Sequence, residues 1–599
     1  MEALRWSTEQ LVGLLSAPRA AEPARLPWGP DAGTDHAAYR YWARDKAAHG
    51  RRHVTAAPTA GPMISVVVPV YRPELWYFRA CVESVQAQTY GNWQLCLCDD
   101  ASGDPALTGV LSELAASDPR VVVQSLESNG GISRATNAAL AAAAGEFVAL
   151  LDHDDTLEAD ALAEVVAATA AYPDADVLYS DDDKIDENGV AYQPHFKPDW
   201  APELLLSYPY MGHLLVVRRS LLAAVGGFRP EFDGSQDYDV MLRATEQARA
   251  VVHIPRVLYH WRAVAGSAAG DSAAKPWAHV ASRGALEDAV RRRGLEADVA
   301  DGPFPGAYHL RHRCSASPTV SVVIPYRDQA AMTARCLESL GREPEADELD
   351  VVLIDNGSIE PETAALRRQL GDRVRVLEYD GAFNWSVINN LAAATCRSDL
   401  LLFMNNDVEA LQPGWLGALV ELADRPDVGA VGARLLFPDG TVQHAGVVLG
   451  QHGIAGHIFM GLPAGGVGYF DWDRVVRPYS AVTGACLMTR RSTFEALGGF
   501  DEQLEVAFND IDYCMRLADR GLSVLYTPHA ELVHHESVSR GMSGFFHDYR
   551  YFLTKWERGR LEDDPYYNPN LSLFAPWCPL RAPGEDERWR VLIDELQGV

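Results

Sequence analysis

Short runs of β-branched and aliphatic residues alternate with segments of helical periodicity along most of this chain. Ile64-Ser65-Val66-Val67-Val68-Pro69 predicts a buried strand stopped by a proline. A helix through Cys81-Val82-Glu83-Ser84 follows, then a strand at 94–98, a helix at 107–117 and a strand at 121–125. A helix at 133–144 and a strand at 147–151 complete the series. Strands alternating with helices predict right-handed βαβ units and an α/β fold with a mostly parallel sheet covered on both faces.

The same order then returns. Strands are predicted at 320–325, 351–354 and 400–404, with Cys336-Leu337-Glu338-Ser339 on a helix between the first two. Polar residues recur with it, about 255 positions on: Pro69 as Pro325, Asp99 as Asp355, Asn137 as Asn390, Asp154 as Asp407, Asp237 as Asp510 and His260 as His534. Solenoid repeats are far shorter, so this period predicts two whole domains in tandem. The expected division is an N-terminal helical extension over 1–62 with a helix at 35–49, and a first domain over 63–300. A linker over 301–318 follows, around Gly302-Pro303-Phe304-Pro305-Gly306, then a second domain over 319–545. A helical tail over 546–599 is expected to pack on the second domain.

Composition narrows the partners. A net charge of −30 argues against nucleic acid and against adsorption to an anionic bilayer through the overall field. Arg291-Arg292-Arg293, the one short basic run, suits a solvated helix end. No run of about eighteen apolar residues exists, so no membrane span is expected. Glu2, Arg5 and Glu9 leave no apolar core for a secretory signal. Nine cysteines lack paired metal spacing, and Cys96 and Cys98 share one face of a strand, which fits reduced thiols in a cytoplasmic protein.

The candidate chemistry lies where strands end, the place where ligands bind open α/β sheets. Asp99 and Asp355 each close a second strand, ahead of Asp100-Ala101-Ser102 and Asn356-Gly357-Ser358. Each carboxylate can accept a hydrogen bond from a base or ribose, or simply form a turn. Asp152-His153-Asp154-Asp155 ends the fourth strand of the first copy, and three carboxylates there repel one another by several kcal/mol at an effective dielectric of ~20. A hard cation, Mg²⁺ or Mn²⁺, removes that cost; the alternative is a solvated acidic turn. Asp237-Tyr238-Asp239 and Asp510-Ile511-Asp512 each follow a Gly-Gly-Phe turn and open a helix. There an acid suits the helix dipole, or serves as a general base near a hydroxyl.

With these residues in place, the chain resembles a tandem family 2 glycosyltransferase of the bacterial O-antigen and surface-polysaccharide type, with two GT-A domains. The resemblance covers about 63–270 and 319–541 and rests on several motifs. In the first copy they include Val68-Pro69-Val70-Tyr71, Tyr179-Ser180-Asp181-Asp182-Asp183-Lys184, Phe196-Lys197-Pro198-Asp199-Trp200 and Leu258-Tyr259-His260-Trp261-Arg262. In the second they include Ile324-Pro325-Tyr326, Phe383-Asn384-Trp385-Ser386, Asn405-Asn406-Asp407, Gln443-His444-Ala445-Gly446 and His534-His535-Glu536-Ser537, a set similar to rhamnosyltransferase-like members.

The resemblance implies inverting transfer from a nucleotide-sugar, UDP-, dTDP- or GDP-linked, to a lipid-linked glycan acceptor at the inner face of the cytoplasmic membrane. It implies Asp237 and Asp510 as bases, and Asp152, Asp154 and His260, or Asp407 and His534, around a divalent Mn²⁺ or Mg²⁺. Nucleotide-sugar contacts would come from Pro69, Tyr71, Asp99, Asp100, Asn137 and Asp152. In the second copy they would come from Pro325, Tyr326, Asp355, Asn356, Asn384, Asn390 and Asn405. Asn405 stands where the first copy has Asp152, so weaker metal binding is expected in the second domain. Two alternatives stay open: one working domain beside a non-catalytic acceptor-binding domain, or a non-catalytic scaffold subunit. A nucleotidyltransferase is disfavoured, because Pro69-Val70-Tyr71-Arg72-Pro73 is no Gly-rich phosphate loop.

Overall fold

The computed structural model describes residues 39–40, 42–43, 60–263, 276–314, 317–370, 374–535 and 542–582, with 584–585, 588, 590–591 and 594 beyond. Most of the helix expected at 35–49 lies outside the described residues; Tyr39, Arg40, Trp42 and Ala43 are helical. Two compact units divide the chain. The first is Thr34–Leu310 with Tyr567–Leu571, and the second contains Arg311–Tyr566 and Ser572–Val599.

The first unit is built on strands β1 (Ile64–Val70), β2 (Trp93–Asp99), β3 (Val121–Ser125), β4 (Phe147–Leu150), β5 (Thr156–Leu157), β6 (Ala175–Ile185), β7 (Ala191–His195), β8 (Leu215–Arg218) and β9 (Ala250–Arg262). They form one sheet in the order β3-β2-β1-β4-β8-β6-β9-β5, with β7 on β6. The apolar runs are buried as their composition requires: Ile64, Val66, Val68, Leu95, Leu97 and Ala149 all lie in one core. A short hairpin, β10 (Ala297–Asp301) with β11 (Tyr308–His312), runs through part of the stretch expected as linker.

The second unit contains β12 (Val320–Tyr326), β13 (Asp350–Asp355), β14 (Val374–Glu378), β15 (Leu400–Met404), β16 (Val408–Ala410), β17 (Val428–Leu436), β18 (Val442–His444), β19 (Val447–Leu449), β20 (Ala455–His457), β21 (Arg477–Pro478), β22 (Cys486–Arg490) and β23 (Ser523–His534). Its main sheet runs β14-β13-β12-β15-β22-β17-β23-β16, with β18 on β17 and β21 on β23. That is the order of the first unit repeated strand for strand, while β19 and β20 form a separate hairpin.

Both sheets are mixed rather than mostly parallel. The βαβ half is parallel, β3 to β2 to β1 to β4, but β8 is antiparallel to both β4 and β6, and β22 repeats this between β15 and β17. An apolar run specifies burial and not direction, so the reversal left no mark in the residue pattern. Because β1 and β4 are parallel neighbours, with Val67 opposite Leu150, their carboxyl ends deliver Pro69 and Asp152 to the same edge.

Among the described residues no helix is long and apolar enough to cross a membrane. All nine cysteines are free thiols, and burial pushes that of Cys96 up to about 12.

Candidate active sites

At the carboxyl edge of the first sheet, Pro69, Asp152, His213, Gln236 and Asp237 line a cavity of about 50 Å³. Asp152 follows β4, and Asp237 sits in the first turn of the helix Gln236–Gln247. The Tyr238 N–H donates to Asp237 Oδ1 (2.8 Å). Burial pushes the Asp237 carboxyl up; nearby His213 opposes that shift and Asp152 adds to it. Burial also holds the His213 imidazole below its usual range, against the attraction of Asp182 and Asp237.

Of the acids that cluster in the sequence, three are committed to the scaffold. Asp155 accepts from the Tyr259 hydroxyl and from the Arg262 N–H (2.7 Å). Asp239, fully buried, is paired with Arg229 and Arg243. Its counterpart Asp512 is likewise buried between Arg516 (2.8 Å) and Lys555 (2.6 Å). Buried charges of this kind require partners, and these have them. Asp237 and Asp510 are thereby distinguished from the acids two residues on.

In the second unit Asn405, Asp407 and His534 converge. His534 Nε2 lies 3.1 Å from Asp407 Oδ1 and 3.4 Å from Asn405 Nδ2, while its Nδ1 bonds Gln443 Oε1 (2.6 Å). Asp510 accepts two backbone N–H groups, from Gly484 (2.7 Å) and Ile511 (2.8 Å).

His260 does not join Asp152 and Asp154. Its Nδ1 is 2.6 Å from Asp183 and its Nε2 is 3.4 Å from Glu158, and these carboxylates raise it to about 10 against the cost of burial. The reason is register. His260 pairs with Thr156 on β5 and Asp183 on β6, whereas His534 pairs with Val408 on β16, the residue directly after Asp407. On the other side of the strand, Asp182 is opposite Tyr259 and Leu435 is opposite Leu532. Both ladders make Trp261, not His260, the positional counterpart of His534. A one-residue offset turns a side chain to the other face of a sheet.

Several residues expected at the nucleotide-sugar make hydrogen bonds to the backbone. Asn137 Nδ2 donates to the Phe228 carbonyl (2.7 Å) and its Oδ1 accepts from the Phe228 N–H (2.9 Å). Asn390 does the same to Phe500, at 2.9 Å in both directions. Each amide clamps a Gly-Gly-Phe turn, and both of its polar atoms are in use. Asn384 caps the helix Trp385–Ala393, accepting from Val387 N–H (2.9 Å), and donates to the Glu502 carbonyl (2.8 Å). Asp100 gathers Gly130 N–H (2.6 Å), Gly131 N–H (2.9 Å) and Asn129 Nδ2 (3.0 Å). Its counterpart Asn356 donates to the carbonyls of Tyr379 (3.2 Å) and Gly381 (3.0 Å).

Asp99 and Asp355 both form the turn. Their Oδ1 atoms accept from Ser102 N–H (3.1 Å) and Ser358 N–H (2.8 Å). In the second unit Arg367 also pairs with Asp355 and donates to the Tyr326 hydroxyl (2.8 Å). Tyr326 is buried, while Tyr71 is 40% exposed beside Arg72. Pro325 stays in the β12 ladder opposite Ile354. His213, which no pattern in the sequence singles out, is the residue that the fold alone brings to the first site.

Among the described residues no three His, Cys, Asp or Glu side chains are gathered closely enough to hold a metal ion as they stand. The donor chemistry of the first site still suits a hard cation. Mg²⁺ and Mn²⁺ use one or two carboxylates and take their other oxygens from phosphate and water, and Asp152 and Asp154 would supply the former.

The glycosyl transferase family 2 model matches residues 65–226 and 321–459, one stretch in each unit. The protein y4gI of Sinorhizobium fredii is 44% identical over 543 residues, 88% of this chain and 59% of the relative. The O-antigen biosynthesis protein RfbC of Myxococcus xanthus is 42% identical over 559 residues, 90% of this chain and 43% of the relative. The N-acetylglucosaminyl-diphospho-decaprenol L-rhamnosyltransferase of Mycobacterium tuberculosis is 30% identical over 216 residues, 32% of this chain and 68% of that protein. The chain thus spans about half the length of the first two relatives. Two matched stretches, two sheets of one topology and their α/β architecture agree, and the chain belongs to glycosyl transferase family 2.

Proposed function

We propose that the chain is a bifunctional inverting glycosyltransferase that moves sugars from nucleotide-sugar donors to a growing bacterial surface glycan. The observation that carries this reading is the shared cavity of Asp152 and Asp237, repeated in the placement of Asp510 on the matching helix. The resemblance to an O-antigen biosynthesis protein supports a surface glycan as product, and the resemblance to a rhamnosyltransferase supports an acceptor on a lipid diphosphate. Work on such an acceptor places the chain at the cytoplasmic membrane face.

In the first site Asp237 accepts the proton of the acceptor hydroxyl as that oxygen attacks the anomeric carbon. The bond from that carbon to the diphosphate oxygen breaks, its electron pair leaves with the nucleoside diphosphate, and the configuration inverts. Asp152 and Asp154 would hold the divalent ion, which when bound neutralises charge on the departing diphosphate. Asp239, pinned by two arginines, fixes the first helical turn and so aims Asp237. In the second site Asp510 takes the base role, with Asn405, Asp407 and His534 at the diphosphate.

A second reading has two observations in its favour. Asn405 replaces a carboxylate, and both Asp510 oxygens already accept backbone N–H groups, which suits a domain kept for acceptor binding. Asp237→Asn and Asp510→Asn, assayed separately over a donor panel, decide between them. Under the bifunctional reading each variant loses a different sugar addition by about 10²–10⁴-fold. Products unchanged by Asp510→Asn leave the second domain non-catalytic.

A further inference from the structure

Gly212-His213 and Gly484-Ala485 precede β8 and β22, and both strands run into Arg-Arg-Ser (Arg218-Arg219-Ser220 and Arg490-Arg491-Ser492). Ala485 is therefore the counterpart of His213. At the end of β23 the situation is reversed: the second unit has His534 and the first has Trp261. The two exchanges are coupled in space. The His213 ring stacks on Tyr259 (centroids 4.5 Å, planes 13° apart) and touches Trp261 (5.5 Å). Ala485 lies at the second site, where its carbonyl accepts the Asn405 N–H (3.0 Å). Each unit thus brings an imidazole from outside the fourth strand to the acids at its end, but from a different element.

His213 lines the cavity together with Asp152 and Asp237, and its imidazole is within electrostatic range of Asp154, Asp182 and Asp237. Among the described residues its ring makes no hydrogen bond; only its backbone carbonyl is engaged, by Lys197. His260, by contrast, has a carboxylate at each ring nitrogen on the opposite face. Two aromatic rings fix the His213 imidazole, and its nitrogens are left to meet something other than protein.

We propose that His213 is the nitrogen ligand of the first site's divalent cation, the part expected of His534 from β23 at the second site. The proposal rests on the metal-assisted transfer set out above. Imidazole nitrogen together with carboxylate oxygen is an ordinary donor set for Mn²⁺. The packing of Trp261 and Tyr259 does for His213 what second-shell groups do for a metal-bound histidine, setting the ring plane before the ion arrives.

The test uses the full chain and Mn²⁺ alone. A His534→Ala background confines imidazole coordination to the first site. There, the bound ion should show imidazole-nitrogen coupling by pulsed electron paramagnetic resonance. His213→Ala and His213→Gln should both abolish the coupling and weaken Mn²⁺ binding about tenfold or more. His260→Ala should leave both unchanged. Two variants of different shape, each with a native circular dichroism spectrum, separate a lost ligand from a lost fold. Coupling that survives in His213→Ala, or vanishes in His260→Ala, overturns the assignment alone. A first site that ignores Asp152→Asn as well, or a native chain that binds no Mn²⁺, overturns the metal-assisted reading with it.

Discussion

Asn137 and Asn390 hold the two Gly-Gly-Phe turns by the same pair of bonds to one peptide group. Recurrence of a polar residue in two domains is what a ligand contact predicts, yet a scaffold contact that both domains need predicts it equally. The turns show why the clamp is required. Gly227 and Gly499 adopt φ of +68° and +75°, and a Cβ on either would lie 2.6 or 2.5 Å from the asparagine Oδ1. Asparagine can lie that close to the chain only because glycine is there. Asn137→Ala and Asn390→Ala should each destabilise their unit by about 1–3 kcal/mol in denaturant unfolding, since a turn N–H and carbonyl lose their partners. The Michaelis constant for donor should stay unchanged; a rise of tenfold with stability intact would return these residues to the ligand. Asp237 and Asp510 were legible because an acid in a first helical turn after a tight turn is a chemical pattern. His213 was not, because nothing in a lone Gly-His pair says which residues β8 and β9 will place around it.

The strands themselves follow from their β-branched runs, and β1, β2, β4 and their second-unit copies lie where the periodicity puts them. Register and direction do not follow, and they decide what His260 does. Counting along the sequence matches His260 with His534, but the ladders of β5 with β9 and β16 with β23 differ by one residue. That offset turns His260 toward Asp183 and Glu158, and makes it part of how β6 and β9 are held together. Its folded-state value, about 10, lies above the ordinary 6.5 of an unfolded histidine. Its pairing therefore contributes in full below about pH 6.5, and the contribution is lost as pH rises toward 10. In native protein, stability measured by urea unfolding should fall across that window beyond what other groups cause. His260→Gln should flatten the decline while lowering stability at pH 6. A variant whose stability tracks native protein in parallel from pH 6 to 10 would mean that the ring carries no extra proton in the folded state.

A linear reading assigns everything after about 545 to a tail on the second domain, but Tyr567–Leu571 belong to the first unit. Contacts more than 380 positions apart leave no local signal, since periodicity and turn chemistry describe neighbours. The physical cause is one buried carboxylate. Asp181, fully buried on β6, accepts from Lys197 N–H (2.9 Å) and His253 Nε2 (2.9 Å), and Asn568 Nδ2 lies 3.0 Å from both of its oxygens. Asn568 also donates to the Lys197 carbonyl (2.9 Å), and Asn570 reaches the Pro255 carbonyl (2.9 Å). A carboxylate taken wholly out of water needs each of these donors, and the nearest stretch of chain cannot supply them all. Asn568→Ala should therefore lower the stability of the first unit by about 1–3 kcal/mol, with the sugar addition assigned to Asp237 lost at a lower temperature. The addition assigned to Asp510 should keep its native thermal profile. Equal loss of both additions on heating would show that the segment stabilises the chain in general, and not the first unit through Asp181.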